Sequence, residues 1–171
     1  GVNLNEGHKV MHGRNYFGAA MVEAGDADAM ISGLTRDYPS TVIPAMELIG
    51  KNENTDRVAG MYIMQTRLGP LFFADTTLNI DPTAEELVDI AVSTSRVVKL
   101  FDYEPRIAMI SYSNFGAAKG EEPRKMAKAA AILKEKYPEM IVDGEMQANI
   151  ALSPELQQEL YPFSACAEKG A

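Results

Sequence analysis

The segment "RIAMISYSNFGAAKGEEPRKMAKAAAILKEKYPEMIVDGEM", Arg106 to Met146, decides the fold class. "RIAMISYS" is almost continuously apolar, the pattern of a strand covered on both faces. The loop "NFGAAKGEEP" hands over to a helix, "RKMAKAAAILKEKY", and "MIVDGEM" returns as another buried strand. Alternation of this kind argues a layered α/β fold with helices on both faces of a sheet.

Working outward toward the N-terminus, "FFADTTLNIDPTAEELVDIA", Phe72 to Ala91, joins a strand to an amphipathic helix. Either Asp81 caps that helix with Pro82 at its first position, or Thr83 caps it in a box with Glu86. Leu87, Ile90, Ala91, Thr94, Val98 and Phe101 form its expected buried stripe. "VAGMYIMQT" and "LFFADTTL" are strand-like runs joined by "RLGP", a hairpin that makes the sheet at least partly antiparallel. Earlier still, "RNYFGAAMVEA" sets Tyr16, Phe17, Ala20, Met21 and Ala24 on one helical stripe, ended by Gly25. "DAMISG" is expected to be a short buried strand, "GLTRDYPST" a loop, and "TVIPAMELIG" a helix with Pro44 in its first turn. Toward the C-terminus, "SPELQQELY" is a helix with Ser153 as its cap and Pro154 following.

The chain has 171 residues, enough for one ordinary domain or one lobe of something larger, and no repeat or linker marks an internal boundary. It lacks an initiator Met, and "PFSACAEKGA" ends without completing an element, so both ends are expected to be truncated. One cysteine, Cys166, rules out an internal disulfide and fits a reducing, cytoplasmic compartment. No run of about 18 apolar residues is present to span a membrane, and no signal peptide opens the chain. Sixteen basic against 24 acidic residues give a net charge of −8, which disfavours nucleic acid or anionic lipid as the main partner. An anionic small ligand stays open, because local donors can overcome net charge.

Three polar clusters recur at the C-terminal ends of apparent strands: Ser32, Gly33, Thr35 and Arg36; Asp75, Thr76 and Asn79; and Ser111, Ser113, Asn114 and Gly116. Ligands of open α/β sheets bind at the carboxyl ends of strands. Gly33 and Gly116 let backbone N–H groups approach an anion, and Arg36 offers a forked donor. Turn-building is the competing use of such side chains. Three clusters on one expected edge favour a binding site, with one of Asp81 and Thr83 spent as cap while Asp75, Thr76 and Asn79 face a cleft. His8 and His12 have an i, i+4 metal spacing, but Lys9 stands where a zincin needs Glu and no third ligand is evident, so a solvated helix face is the reading. Asp143 and Glu145 are either a working carboxylate pair or the shapers of a turn at Gly144. Cys166 has no base partner in view and reads as a buried or incidental thiol. The Met residues read as core, and the absence of Gly-x-Gly-x-x-Gly and Walker patterns argues against a dinucleotide fold.

"RNYFGAAMVEAGDADAMISGLTRDYPSTVIPAMELIG", "FFADTTLNIDPTAEELVDIA", "EPRIAMISYSNFG" and "VDGEMQANIALS" together resemble the phosphate acetyl/butyryltransferase family. "GLTR" followed by "SNFG" resembles the branch formed by the C-terminal domains of bacterial NADP-dependent malic enzymes. The resemblance implies a three-layer α/β/α architecture with a mixed sheet, like that of isocitrate and isopropylmalate dehydrogenases, of which this chain is an incomplete part. It implies acyl-CoA and phosphate as ligands of the three clusters, and a homo-oligomer. In the malic-enzyme branch, acetyl-CoA is expected to be a regulatory ligand. The parent would decarboxylate malate oxidatively to pyruvate with NADP and Mg or Mn held in its other half. The alternative is part of a transferase moving an acyl group between CoA and phosphate; a further alternative is an oligomerisation module. The family's "TxRPA" Arg falls at Ile43, which cannot give a charge-assisted bond to phosphate, and a Cys often found near the CoA site falls at Thr76. The family's catalytic Ser, Arg and Asp match no position here, so no catalytic residue is assigned and the piece alone is expected to be inactive.

Overall fold

The structure, a computed structural model, describes residues 3–53, 55, 57–67 and 69–171. The chain divides into two compact units, Gly1–Asn54 and Thr55–Ala171.

The smaller unit is helical: α1 (Leu4–Met11), α2 (Arg14–Glu23) and α3 (Tyr38–Leu48). Asn3 and Glu6 close a capping box on α1, each side chain meeting the other's backbone N–H at 3.0 and 3.1 Å. Gly25, at φ +79°, follows the end of α2 as expected. The buried face of α2 is Asn15 and Ala19, whereas Phe17 of the expected stripe is 54% exposed. α3 begins earlier than "TVIPAMELIG" suggests. Asp37 caps it by accepting from Ser40 N at 2.8 Å, Pro39 sits in the first turn, and Pro44 therefore lies inside the helix. A proline there has no N–H for the carbonyl four residues back. That carbonyl belongs to Ser40, and Asn15 Nδ2 supplies the missing donor at 2.7 Å.

The strand expected at "DAMISG" does not form. Residues 29–33 are irregular, Ile31 is fully exposed, and the described residues of this unit contain no strand to pair with. A lone extended run has no ladder to stabilise it. Met30 packs instead against the open backbone of Gly18.

The larger unit contains β1 (Met61–Thr66), β2 (Gly69–Ala74), α4 (Ala84–Leu100), β3 (Arg106–Ile110), α5 (Glu121–Lys136), β4 (Ile141–Met146), α6 (Ala148–Ala151) and α7 (Pro154–Leu160). β1 and β2 form the antiparallel hairpin, in register from Met61 opposite Ala74 to Thr66 opposite Gly69. Leu68 of its "RLGP" turn lies outside the described residues. β3 and β4 pair in parallel across the α5 crossover, so the α/β class stands as two two-stranded sheets, one of each kind. Gly144 belongs to the close approach of this pair: its φ is +133°, and a Cβ there would lie 2.6 Å from the Met109 carbonyl oxygen. β4 is well covered, but Ile110 of β3 remains 43% exposed, so the double cover expected of that strand is incomplete.

Thr83, not Asp81, caps α4, in the box with Glu86. Leu87, Ala91 and Val98 face inward, with Ser95 buried in place of the expected Thr94 and Phe101 half-exposed against Phe72. Leu87, Val88 and Ala91 pack on Ala129, Ala130 and Leu133 of α5 and on Met109 and Val142 of the parallel pair. Alanines at the helix contact let the backbones approach, and fully buried Leu133 contributes about 2–3 kcal/mol. α5 starts three residues before Arg124, because Pro123 is tolerated in a first turn. Ser153 caps α7 through Leu156 N, with Pro154 at its first position. Among the described residues no helix is long and apolar enough to cross a membrane.

Candidate functional site

In the smaller unit, Ser32 donates to Asn15 Oδ1 at 2.7 Å, so the side chain that repairs the Pro44 gap also ties down this segment. Gly33 (φ +129°) and Leu34 (φ +44°) then turn the chain toward the α3 cap. Thr35 and Arg36 follow, both exposed.

In the larger unit, the turn after β2 is built around one carboxylate. Asp75 Oδ1 accepts from the backbone N–H groups of Gly60 (3.0 Å), Thr77 (2.8 Å) and Leu78 (3.1 Å). Oδ2 accepts from Asn79 N at 2.8 Å and from Asn79 Nδ2. Burial pushes the Asp75 carboxyl upward, but the bonds from Thr77, Asn79 and Leu78 outweigh it and hold its pKa below the ordinary value. Asn79 is equally committed, donating to Val58 O at 3.0 Å and accepting from Arg57 Nη1 at 2.8 Å. Arg57 continues to Glu86 in the α4 capping box. Asp75 and Asn79 do line a cleft, but their hydrogen-bonding capacity is spent on the turn itself. Thr76 differs, because its Oγ1 is enclosed with no partner among the described residues.

The loop after β3 is clamped onto the end of β4. Asn114 and Gln147 pair reciprocally, Nδ2 to Oε1 at 3.0 Å and Gln147 N to Asn114 Oδ1 at 2.7 Å, while Gln147 Nε2 donates to Tyr112 O at 2.9 Å. Glu145 Oε1 accepts from Gly116 N at 2.6 Å and from Ser113 Oγ at 3.3 Å. Ser111 Oγ, at the start of the loop, is enclosed and unpartnered among the described residues. Burying a hydroxyl this way costs about 1–3 kcal/mol, so Thr76 and Ser111 hold hydrogen-bonding capacity that the fold leaves unused.

Asp143 and Glu145 do not work as a pair. Asp143 meets Lys134 Nζ at 2.5 Å and Ala165 N at 2.8 Å, while Glu145 holds the loop. Burial raises the Asp143 carboxyl, but Lys134 and the N–H groups of Ala165 and Gly144 more than offset it and leave its pKa lowered. Cys166, 1% exposed, is pushed up to about 11 by burial and by the Asp143 charge. His8 and His12 are exposed on or beside α1, and no three His, Cys, Asp or Glu side chains converge as metal ligands among the described residues.

Two of the three clusters share one end of the larger unit. Asp81 and Glu85, at the start of α4, pair with Lys125 and Lys128 of α5. The pairings advance together, so the two helices run parallel with adjacent N-termini, and the Asp75 turn and Ser111–Gly116 loop lead into them. A cavity of about 420 Å³ opens here, lined by Asp75, Asn79, Asp81, Glu122 and Lys125 among others. Its three carboxylates outnumber its one ammonium, and the Asp81 and Glu122 bonds that raise the Lys125 pKa also occupy that cation. The cavity is thus no ready phosphate site.

Arg57, Gln147 and Asn15 went unnoticed in the sequence. Only "VDGEMQ", with polar residues beyond a buried strand, gave a local signal for Gln147.

Comparison with known proteins bears on this arrangement. The family described as phosphate acetyl/butaryl transferase matches residues 1–171. The phosphate acetyltransferase of Bacillus subtilis (strain 168) is 38% identical over 159 residues, covering 93% of this chain and 49% of that protein. An NADP-dependent malic enzyme of Rhizobium meliloti (strain 1021) is 39% identical over 150 residues, 88% of this chain and 19% of that protein. The crystal structure of a phosphotransacetylase from Streptococcus pyogenes superposes with a TM-score of 0.86 at 36% identity, covering 98% of this chain and 52% of that one. The chain thus spans about half the length of the two phosphotransacetylase relatives. With its α/β fold and all four sequence motifs inside the matched range, this chain belongs to the phosphate acetyl/butaryl transferase family.

Proposed function

We propose that the chain is part of a phosphate acyltransferase, moving an acyl group between CoA and inorganic phosphate. The observation that carries this reading is the clamped Ser111–Gly116 loop, a preformed turn at the end of a parallel strand with one enclosed hydroxyl unspent. The relatives named phosphate acetyltransferase supply the chemistry. The CoA thiolate attacks the acyl carbonyl of an acyl phosphate, the C–O bond to phosphate breaks, and thioester and inorganic phosphate result. Orientation of two bound anions and stabilisation of the developing oxyanion supply most of such a rate. The residues of this chain bind and orient, with the unspent Ser111 and Thr76 hydroxyls of the larger unit as the groups assigned to acyl-CoA or phosphate. Mixing the complete parent protein with acetyl phosphate and CoA, and following thioester absorbance, tests the proposal; no thioester formation refutes it.

A second reading, a regulatory acetyl-CoA domain of a malic enzyme, draws on the Rhizobium meliloti relative and on Ile43 in place of an arginine. Malate-dependent NADP reduction by the parent, altered by acetyl-CoA and without acyl transfer, selects it.

A further inference from the structure

Glu145 is a buried carboxylate, 3% exposed, placed under a surface loop. Its Oε1 receives Gly116 N at 2.6 Å and the Ser113 hydroxyl at 3.3 Å, and that hydroxyl accepts Ala118 N at 2.9 Å. The Glu145 carbonyl takes Phe115 N at 2.9 Å. Glu145 therefore ties down Ser113, Phe115 and Gly116 directly and Ala118 through Ser113, beside the Asn114–Gln147 pair. The loop needs fixing, because Phe115 (φ +45°) and Gly116 (φ +86°) are consecutive left-handed residues and a non-glycine pays a penalty there. The Phe115 ring already packs on Tyr161 and Phe163, at centroid distances of 4.9 and 5.0 Å. Rings hold a loop down without setting its backbone, whereas a carboxylate receiving a backbone N–H and a hydroxyl sets the direction of both.

We infer that Glu145 is the positioning residue of the Ser111–Gly116 loop, holding it in the one backbone geometry that meets acyl-CoA or phosphate without a further ordering cost. The inference rests on the transferase reading for the identity of the ligand, while the clamp itself stands on the contacts above.

The test uses the complete parent protein, with Glu145→Ala and Glu145→Gln compared for acetyl phosphate and CoA turnover. Glu145→Ala is expected to raise KM for CoA or acetyl phosphate by about tenfold to a hundredfold, with kcat changed much less. Glu145→Gln keeps an oxygen for Gly116 N and is expected to restore most of that loss. Amide exchange at Gly116 and Ala118 is expected to accelerate at least tenfold in Glu145→Ala and little in Glu145→Gln. If Glu145→Ala does not fold, Gln147→Ala, which loosens the neighbouring clamp, is expected to raise the same KM. A fall in kcat alone, an unchanged KM, or a Gln variant no better than Ala overturns the inference. If the wild-type parent transfers no acyl group, the functional reading fails by itself. The exchange measurement then decides the clamp, and loop amides indifferent to Glu145→Ala overturn it.

Discussion

Removing the Asp75 carboxylate tests most directly how the larger unit turns from β2 into α4. Five donors converge on it, four backbone N–H groups and the Asn79 amide. A bond to a charged acceptor contributes about 1.5–3 kcal/mol when dry, but the site is part-exposed and water replaces some of the donors after deletion, so Asp75→Ala should cost about 2–4 kcal/mol. Asp75→Asn should cost less, because its amide oxygen can still serve Gly60, Thr77 and Leu78. Its NH2 must then face the Asn79 donors, and that half of the turn is lost. The pH dependence follows from the lowered pKa. The unfolded carboxyl titrates near 4, so the contribution is complete above that value and is lost as pH falls through the folded pKa. Both variants should therefore lose stability at neutral pH and show a flatter acid limb. Hydrogen exchange at Thr77, Leu78 and Asn79 is the assay, and at 1.4 kcal/mol per factor of ten the Ala variant should raise the opening constant about 30-fold to 700-fold. Opening within threefold of wild type would refute the argument that this carboxylate organises the turn.

Asn15→Ala should destabilise the smaller unit by about 1–3 kcal/mol, and less in a Pro44→Ala background, where the restored N–H reaches Ser40 O; a double-mutant cycle by chemical denaturation should give a coupling of about 1 kcal/mol. Lys134→Met leaves Asp143 buried without its cation and should cost about 1–3 kcal/mol, below the range for a fully buried pair because Lys134 is half-exposed. The lowered Asp143 pKa contributes stability above the unfolded value that disappears as pH falls, so losing Lys134 should move the acid unfolding midpoint upward. Cys166, at about 11 against an ordinary 9, should hold about 100-fold less thiolate at neutral pH and react with a disulfide reagent only slowly until the protein is unfolded.

What the sequence disclosed was local in origin. The Thr83–Glu86 box, the Ser153–Pro154 start and Gly25 each act within four residues, and the hairpin and the βαβ alternation follow from periodicity. The expectations that failed weighed a preference without its partner. "DAMISG" has strand-like apolar residues, but a strand needs a partner, and the described residues of the smaller unit hold none. The start of α3 was readable in "DYPS", an Asp followed three residues later by the Ser whose N–H it caps, yet Pro44 looked like the more natural first-turn proline. Arg57 was invisible because its partners, Asn79 and Glu86, lie 22 and 29 residues away and no local pattern links them. For the site, residue type located the clusters without telling which members still had bonds to offer. Asp75 and Thr76 are adjacent and equally polar, but only the second keeps a spare hydroxyl.

That distinction bears on where an anion can be held. Two helix N-termini side by side ordinarily attract phosphate, through unpaired N–H groups and the aligned peptide dipoles. Here the first turns carry Glu85, Glu86, Glu121 and Glu122, and Asp81 precedes α4, so the protein's own carboxylates already neutralise those dipoles. Lys125 is shared between two of them. A phosphate entering the cavity would meet a surplus of negative charge and a committed cation. Within the larger unit, electrostatics therefore point away from the cavity and toward the Ser111–Gly116 loop, where the enclosed Ser111 hydroxyl is neutral. The fixed geometry there comes from Glu145, whose Oε1 is directed at Gly116 N and the Ser113 hydroxyl. On the transferase proposal, an acyl-CoA recognised on those terms would be selected by the shape and hydrogen bonds of its neutral part, the thioester or pantetheine amides, more than by its phosphates. Dephospho-CoA, which lacks only the 3′-phosphate, should then lose little affinity for this unit, and a large loss would return the search to its cations.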